Sequence, residues 1–394
     1  MVAAQPSRRR ILIVSSYFPP HVGGVEVVVE HHARALALAG HRTVVATTRT
    51  DRSAPVRENA GGYEVLRLPA SNVIEDRSRV PYPVVSPAFC RALWRLVRWA
   101  DLVHVHDVIY QPPQVAAVLA GLLRRPLCVT QHAGPAKHER RLVVGVERLS
   151  SLVAGRHIWR RAARVCAHNQ LIYDHLRRHG VAAERIVRTE NGVDTTTFAP
   201  GPVTDDPGLR ARLRLPAGRP LVLFVGRLVR QKGFEQLIAA ADDAYHIVLA
   251  GPGRPPDPLP ATVTCVGPVR HGDLAQLYRM ADVFVLPAVG EVFPLVVQEA
   301  MACGLPVVTT DDPRYDTYGV DRQLVQLVSP DPAALRRAIL TVISAPELRQ
   351  RMSAYSRRFA LERFDWRTNQ TALLRMYDGV IAERVGRRPA RAAT

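Results

Sequence analysis

Lysine is nearly missing from this chain of 394 residues. Lys137 and Lys232 are the two lysines among 53 basic residues, so arginines spread along the sequence carry the formal net charge of +18. Aromatic residues make up 6% of the chain, and no basic stretch alternates with them as in proteins that bind single strands. We therefore predict no nucleic-acid partner.

Cysteine pairs and long apolar runs are missing as well. The five cysteines are widely spaced and form no C-x-x-C pair, which argues against a disulfide framework or a zinc knuckle. No apolar run has the length of a membrane span, and the run at 11–14 is too short for a signal peptide. We expect a cytoplasmic protein whose basic segment 139–164 either contacts the inner face of a membrane or packs against its own lobe.

What the chain does have is a regular alternation of short apolar runs and helical patterns. An apolar run at 11–14, a helical pattern at 25–39 and a β-branched run at 41–48 form a β-loop-α-β unit, typical of a parallel sheet covered on both faces. Further strands are predicted at 102–106 and 127–130. A second series has strands at 221–225, 246–250, 263–266, 283–286 and 306–309, with helices at 235–241, 274–280 and 295–303.

The two series predict an α/β protein with two Rossmann-like lobes that face each other across a cleft. We assign residues 8–194 to the first lobe, 195–364 to the second, and 365–386 to a terminal helix that returns to the first lobe. Ligands of doubly wound sheets bind outside the carboxyl ends of the strands, so functional residues are expected in the loops that follow strands.

The second lobe has a basic loop in such a position, V-G-R-L-V-R-Q-K-G at 225–233. Gly226 permits a turn after the strand, and Arg227 and Lys232 can converge on one diphosphate. Solvated surface charge is the alternative for both side chains.

A pair of acids follows in the segment G-E-V-F-P-L-V-V-Q-E-A. Pro294 suits the first turn of a helix, which places Glu291 in the loop ahead of it and Glu299 in its second turn, where the two can grip different parts of one ligand. The free amides from Phe293 to Leu295 would meet a phosphate. The alternative for either acid alone is an exposed position on the helix.

The first lobe has a glycine-rich loop and a group of histidines. Gly23 and Gly24 precede a helix, where free amides favour an anion, although a plain tight turn is the alternative; the loop is not G-x-G-x-x-G, which argues against a dehydrogenase. His106 and Asp107 end one strand and His132 follows the next. They can bind a metal, hydrogen-bond a substrate or serve packing, and we expect no metal because further ligands at strand ends are not evident.

Taken together and in order, these motifs resemble the GT-B-fold retaining glycosyltransferases of family 4. The resemblance covers nearly the whole chain: Y-F-P-P-x-x-G-G-V-E, L-V-H-V-H-D, the His132 loop, N-G-V-D, V-G-R-L with K-G, G-P-G at 251–253, E-A-M-A-C-G-L-P-V-V and a terminal F-D-W. Two motifs depart from the family, since E-V-F-P replaces E-G-F-G and T-D-D-P-R-Y-D at 310–316 replaces a glycine pair.

The resemblance implies roles for single residues. Those implied on the donor side are Arg227 and Lys232 with Gly226 and Gly251 at the diphosphate, Glu299 at the ribose, Glu291 with Phe293, Pro294 and Leu295 at the sugar and its phosphate, and Gly267 at the base. Those implied in the first lobe are Gly23 and Gly24 in the facing loop, His132 beside the reacting carbon, and His106 and Asp107 on the acceptor side.

The implied function is metal-independent transfer of a hexosyl unit from a nucleotide diphosphate sugar to a hydroxyl acceptor, with retention of configuration and without a bound cofactor. The acceptor can be lipid-linked, a polysaccharide or a small metabolite. A sugar-nucleotide-binding protein without turnover, or an epimerase on the same fold, is the alternative.

Overall fold

The structure is a computed structural model that describes residues 8–21, 23–49, 53–71, 73, 82–132, 151–189, 192–201, 207–291 and 293–386. The chain divides into two compact units. The first unit consists of Met1–Glu190 with Arg367–Thr394, and the second consists of Asn191–Trp366. The sequence predicts divisions after residues 194 and 364, and the two units divide after Glu190 and Trp366.

The first unit is built on an eight-stranded sheet. Its strands are β1 Arg10–Val14, β2 Arg42–Thr48, β3 Arg57–Asn59, β4 Glu64–Leu68, β7 Leu102–His106, β8 Leu127–Gln131, β9 Arg164–Ala167 and β10 Ile186–Arg188, while β5 Ala70–Ser71 and β6 Val84–Val85 form a separate antiparallel pair. The strand order in the large sheet is β10-β9-β8-β7-β1-β2-β4-β3. All neighbours in the large sheet are parallel except β3 and β4. The last four residues of β1 are wholly buried, as expected for a central strand covered on both faces.

Helices cover both faces of this sheet, and side chains cap some of them. The helices are Gly24–Leu38, Pro87–Trp99, Gln111–Leu122, Arg156–Arg161, Gln170–Arg178 and Trp366–Gly386, with a π-helical turn at Ser151–Gly155 and a 3-10 turn at Ala183–Arg185. Ser86 accepts a hydrogen bond from the Phe89 N–H, and Asn169 accepts one from the Ile172 N–H. These caps satisfy amides that have no partner inside the helix.

The terminal helix Trp366–Gly386 packs onto the first unit. Leu373, Met376, Tyr377 and Val380 are buried in one apolar cluster with residues of β1 and of helix Gly24–Leu38. The Tyr377 hydroxyl hydrogen-bonds to Nδ1 of His104 in β7. The chain therefore leaves the first unit and returns to complete its core.

The second unit contains a six-stranded sheet in which all neighbouring strands are parallel. The strands are β11 Leu221–Val225, β12 His246–Ala250, β13 Val263–Gly267, β14 Val283–Leu286, β15 Val307–Thr310 and β16 Gln326–Val328. Their order in the sheet is β13-β12-β11-β14-β15-β16. The helices are Pro207–Arg212, Phe234–Ala239, His271–Met280, Leu295–Ala302, Pro332–Ser344 and Pro346–Arg363, with 3-10 turns at Arg230–Lys232 and Pro313–Tyr318. The strand order reverses between β11 and β14, where ligands of doubly wound sheets bind.

The structure corrects two predictions about where helices begin or end. Arg164 begins strand β9 instead of ending a basic helix, and residues 139–150 of that segment lie outside the described residues. Pro294 caps its helix instead of occupying the first turn, since helical backbone begins at Leu295. Among the helices in the described ranges, none combines the length and apolar character that crossing a membrane requires.

The docking of the terminal helix yields a stability prediction. Leu373 is 1% exposed, so Leu373→Ala leaves a cavity in the core of the first unit and should lower its free energy of unfolding by about 2–5 kcal/mol. Urea denaturation measures the loss, with Thr371→Ala on the exposed face of the same helix as the control, where a change below about 0.5 kcal/mol is expected. Equal losses in the two variants would mean that the helix does not dock through Leu373.

Candidate functional site

The loops after β11 and β14 lie side by side at the carboxyl edge of the second sheet. Parallel pairing of Val222 with Val283 sets the two strands next to each other, so their carboxyl ends point the same way. The Val289 N–H of the second loop donates to the Gln231 carbonyl of the first at 3.0 Å. This bond ties the 3-10 turn Arg230–Lys232 to the loop that carries Glu291.

Lys232 and Glu291 form an ion pair across these two loops. Nζ of Lys232 lies 2.5 Å from Oε2 of Glu291, and the two side chains are 15% and 36% exposed. Sequence analysis assigned both residues to one ligand, and the structure brings them together although they are 59 positions apart. Arg227 lies in the same loop as Lys232, and its side chain is exposed at the carboxyl end of β11.

Two glycines let the loops of this edge approach closely. Gly233 has a φ of 73°, and a Cβ there would collide with the Pro287 carbonyl. Gly251 has a φ of 142°, and a Cβ there would collide with the carbonyl of Gly226. A side chain at either position would push adjacent backbones apart.

Three glycines lie at neighbouring strand ends of this edge: Gly226 follows β11, Gly251 follows β12 and Gly267 ends β13. The Gly251 N–H donates to the Gly267 carbonyl at 2.8 Å, and the Gly226 N–H donates to the Ala250 carbonyl at 2.9 Å. The carboxyl ends of β11, β12 and β13 are therefore connected through backbone hydrogen bonds. The donor-binding roles of these glycines stay predictions.

Glu299 is buried within helix Leu295–Ala302, at 9% exposure. The Tyr278 hydroxyl lies 2.8 Å from its Oε2 and 3.1 Å from the Val296 carbonyl. Burial raises the pKa of Glu299 to about 7, and the bond from Tyr278 opposes this shift. Sequence analysis missed Tyr278, because nothing local in a helix 21 positions away marks it as the partner of an acid.

The turn that enters this helix is also held by the protein. Phe293 is buried with a φ of 48°, and its carbonyl accepts from Nε2 of Gln298 at 2.8 Å. The N–H groups of Val297 and Gln298 donate to the Pro294 carbonyl. The amide of Leu295 begins the helix, where N–H groups favour an anion.

In the first unit, His106 and His132 face each other at the ends of β7 and β8. Nδ1 of His106 lies 3.0 Å from Nε2 of His132, and burial holds the pKa of both imidazoles well below the ordinary value. Both rings are therefore neutral at pH 7, and one donates to the other. This tautomeric pair can hydrogen-bond a ligand without adding charge, and the predicted contact of His132 with a sugar stays a prediction.

A third buried histidine lies beside this pair. Ring nitrogens of His32, His104 and His106 come within 4.8 Å of one another, a spacing that could hold a metal ion. Both nitrogens of His104 already hydrogen-bond, to Thr130 at 2.8 Å and to Tyr377, and the rings of His32 and His104 stack at an interplanar angle of 21°. A metal would have to displace one of the two hydrogen bonds of His104. The expectation of a metal-free protein stays a prediction.

Asp107 has a left-handed backbone, with a φ of 64°, and is 5% exposed. Its Oδ1 accepts from Nε2 of Gln131 at 2.6 Å, and Oε1 of Gln131 accepts from the Trp159 indole N–H. Asp107 thus hydrogen-bonds within the protein at the carboxyl end of β7. Its predicted part in acceptor binding is untested.

The carboxylate of Glu26 lies beside Gly23, at the start of helix Gly24–Leu38. Glu26, in the first turn of the helix, folds back so that a Cβ on Gly23 would collide with its Oε2. Nδ1 of His21 lies 2.5 Å from Oε1 of Glu26. The chain therefore brings its own carboxylate to this helix start, and the predicted role of Gly23 and Gly24 stays a prediction.

Comparisons with known proteins match both units. Residues 22–197 match the sequence model of the family described as Glycosyltransferase Family 4, and residues 205–359 match the one described as Glycosyl transferases group 1. A GDP-mannose-dependent alpha-mannosyltransferase of Mycolicibacterium smegmatis is 32% identical over 98% of this chain and 100% of its own. A D-inositol 3-phosphate glycosyltransferase of Xylanimonas cellulosilytica is 31% identical over 94% of each chain.

A solved structure has the same fold. A sucrose-phosphate synthase from Thermosynechococcus elongatus superposes with a TM-score of 0.75 at 24% identity, over 95% of this chain and 100% of that one. The predicted fold class and the resemblance found in the motifs are confirmed.

The buried Glu299 predicts a pH dependence of stability. Its pKa rises from 4.5 to about 7 on folding, so the carboxyl contributes fully to the free energy of unfolding below pH 4.5, and this contribution is lost as the pH rises to 7. The loss amounts to ~3 kcal/mol at about 1.4 kcal/mol per pH unit. Glu299→Gln does not titrate, so this variant should not show the loss.

The measurement is the difference in free energy of unfolding between variant and wild type at pH 5 and pH 8. The variant is compared with wild type at each pH because buried histidines also change the free energy of unfolding with pH, in the opposite direction, and this effect is common to both proteins. Glu235→Gln, at an exposed helix position, is the control and should show no pH-dependent difference. A pH-independent difference for Glu299→Gln would contradict the raised pKa.

Proposed function

Since the chain belongs to the group 1 glycosyltransferases of family 4, we propose that it moves a hexosyl unit from a nucleotide diphosphate sugar to a hydroxyl acceptor, with retention of configuration. The observation that carries the donor assignment is the Lys232–Glu291 pair, formed by two loops at the carboxyl edge of the second sheet. A ligand with an anionic part and a hydroxyl-rich part suits such a pair.

Lys232, the cation of this ion pair, stabilises the leaving group. When the bond between the anomeric carbon and the phosphate oxygen breaks, negative charge collects on the nucleoside diphosphate. Lys232, Arg227 and the first amides of helix Leu295–Ala302 supply positive charge at this edge. Prearranged donors of this kind contribute several kcal/mol to a barrier reduction.

Glu291, the carboxylate of this ion pair, binds hydroxyl groups of the donor. A diphosphate that binds Lys232 competes with Glu291 for the ammonium, and the released carboxylate can accept from a sugar hydroxyl. Glu299 can accept from a ribose hydroxyl in the same way, with Tyr278 keeping the carboxyl oriented. The two acids then bind different parts of one donor, eight residues apart.

Retention requires the acceptor to attack from the side that the diphosphate leaves. No carboxylate is assigned as a nucleophile, so the proposal uses the leaving phosphate as the base. The acceptor oxygen bonds to the anomeric carbon, the carbon–phosphate oxygen bond breaks, and the acceptor proton moves to a phosphate oxygen. Because the chain supplies the cations, the scheme includes no metal ion, and an assay with and without a chelator tests this.

The relatives suggest where to begin with substrates. One is named for GDP-mannose and the other for D-inositol 3-phosphate, so GDP- and UDP-sugars with phosphorylated and neutral polyols form the first panel. A polyprenyl phosphate sugar forms the lipid-linked arm. Release of nucleotide with a new glycoside of retained anomeric configuration supports the proposal, while an altered free nucleotide sugar would indicate an epimerase.

Lys232→Ala should reduce kcat/KM about 10²–10³-fold, the usual effect of removing one donor to a developing charge. The measurement is nucleotide release at several donor concentrations. Arg230→Ala removes an exposed cation from the same 3-10 turn and should stay within about threefold of wild type. Full turnover by Lys232→Ala would refute the assignment of the diphosphate to this loop.

A further inference from the structure

Phe293 has a backbone conformation that its side chain disfavours. Its φ of 48° lies in the left-handed region, where residues other than glycine are uncommon. The residue is 3% exposed and lies between Glu291 and the first helical residue, Leu295. Something around Phe293 must therefore hold this conformation, and with it the direction in which Glu291 and the helix start point.

Four aromatic rings surround the Phe293 side chain. The ring centroids of Tyr315 and Tyr318 each lie 4.9 Å away in edge-to-face contact, Phe364 lies at 5.0 Å and Phe359 at 5.6 Å. Contacts of this kind stabilise beyond the area that they bury. Phe359 belongs to helix Pro346–Arg363, Phe364 directly follows that helix, and the two tyrosines belong to the 3-10 turn Pro313–Tyr318. Residues of three segments therefore hold the Phe293 ring in place.

The backbone of Phe293 is held by a side chain as well. Its carbonyl accepts from Nε2 of Gln298 at 2.8 Å. A buried carbonyl without a partner would cost free energy, so this bond favours the conformation in which it is made.

Tyr315 is itself fixed at the end of the sheet. It is wholly buried in the turn that follows β15, and its hydroxyl lies 3.5 Å from Oγ1 of Thr309, which donates to the Leu286 carbonyl at the end of β14. The Asp312 side chain accepts from the Arg314 N–H and begins the turn. Tyr315 therefore links the ends of β14 and β15 to the loop that carries Glu291.

On the basis of the proposed function, we infer that Tyr315 is a positioning residue of the donor site. Its ring holds Phe293 in the left-handed conformation while its hydroxyl anchors that ring at Thr309, and this keeps Glu291 and the first amides of helix Leu295–Ala302 in the arrangement that the donor sugar and its phosphate meet. Tyr315 need not touch the substrate. Its segment, T-D-D-P-R-Y-D, is where this chain departs from the usual glycine pair.

Tyr315→Phe tests this inference because it keeps the ring and deletes the hydroxyl that anchors it at Thr309. Tyr355→Phe is the matched control, since the Tyr355 hydroxyl also makes a hydrogen bond, accepting from the Asp321 N–H at 2.9 Å, and its ring contacts Phe359. Each variant is measured for kcat, for KM of donor and acceptor, for Tm, and for amide hydrogen exchange of peptides covering 290–298 and 319–325.

We expect Tyr315→Phe to lower kcat about tenfold, the factor for one buried hydrogen bond, with acceptor KM unchanged. Exchange should rise in 290–298 only. Tyr355→Phe should raise exchange in 319–325 and leave kcat within about twofold of wild type. Gln298→Leu, which removes the partner of the Phe293 carbonyl, should act in the same direction as Tyr315→Phe.

A structural role alone predicts equal Tm losses in the two tyrosine variants with unchanged kcat, and this result would overturn the inference. Unchanged exchange in 290–298 of Tyr315→Phe would overturn it as well. If the wild type transfers no sugar, the proposed function is wrong, whereas exchange in 290–298 still decides whether Tyr315 holds Phe293.

Discussion

The parallel pairing of β11 with β14 brings two loops together at the carboxyl edge of the second sheet, and the charged part of the candidate site depends on it. Each strand is wholly buried and apolar, so neither can shift its register without exposing core residues. The loops inherit this rigidity through the bond between Val289 and Gln231. Lys232 and Glu291 meet as a result, at a place where a ligand can separate them.

Residues that a substrate would contact are supported by others behind them. Tyr278 holds the buried carboxyl of Glu299, Gln298 holds the carbonyl of Phe293, and Tyr315 packs against the Phe293 ring. Such support reduces the reorganisation needed when charge develops in the transition state. The left-handed conformation of Phe293 shows that the fold accepts a locally unfavourable backbone at this point, which packing elsewhere must offset.

The carboxyl edge of the first unit has a different character. Burial keeps His106 and His132 neutral, and Asp107 bonds within the protein to Gln131. Glu26 lies over Gly23 at the helix start that sequence analysis had assigned to an anion. The two histidines of this edge thus offer hydrogen bonds without positive charge, in contrast to the Lys232 loop of the second unit.

The sequence by itself determined the alternation of strands and helices, the α/β class and the loops in which the site residues lie, because apolar runs and glycine-containing turns are local signals. It also singled out Lys232, a rare lysine in an arginine-rich chain. Tertiary structure alone decided that Lys232 pairs with Glu291, that Tyr278 bonds Glu299, and that Tyr315 holds Phe293. These partners are 21 to 59 positions apart and come from separate elements, and their proximity arises from strand order and packing, which no local pattern encodes.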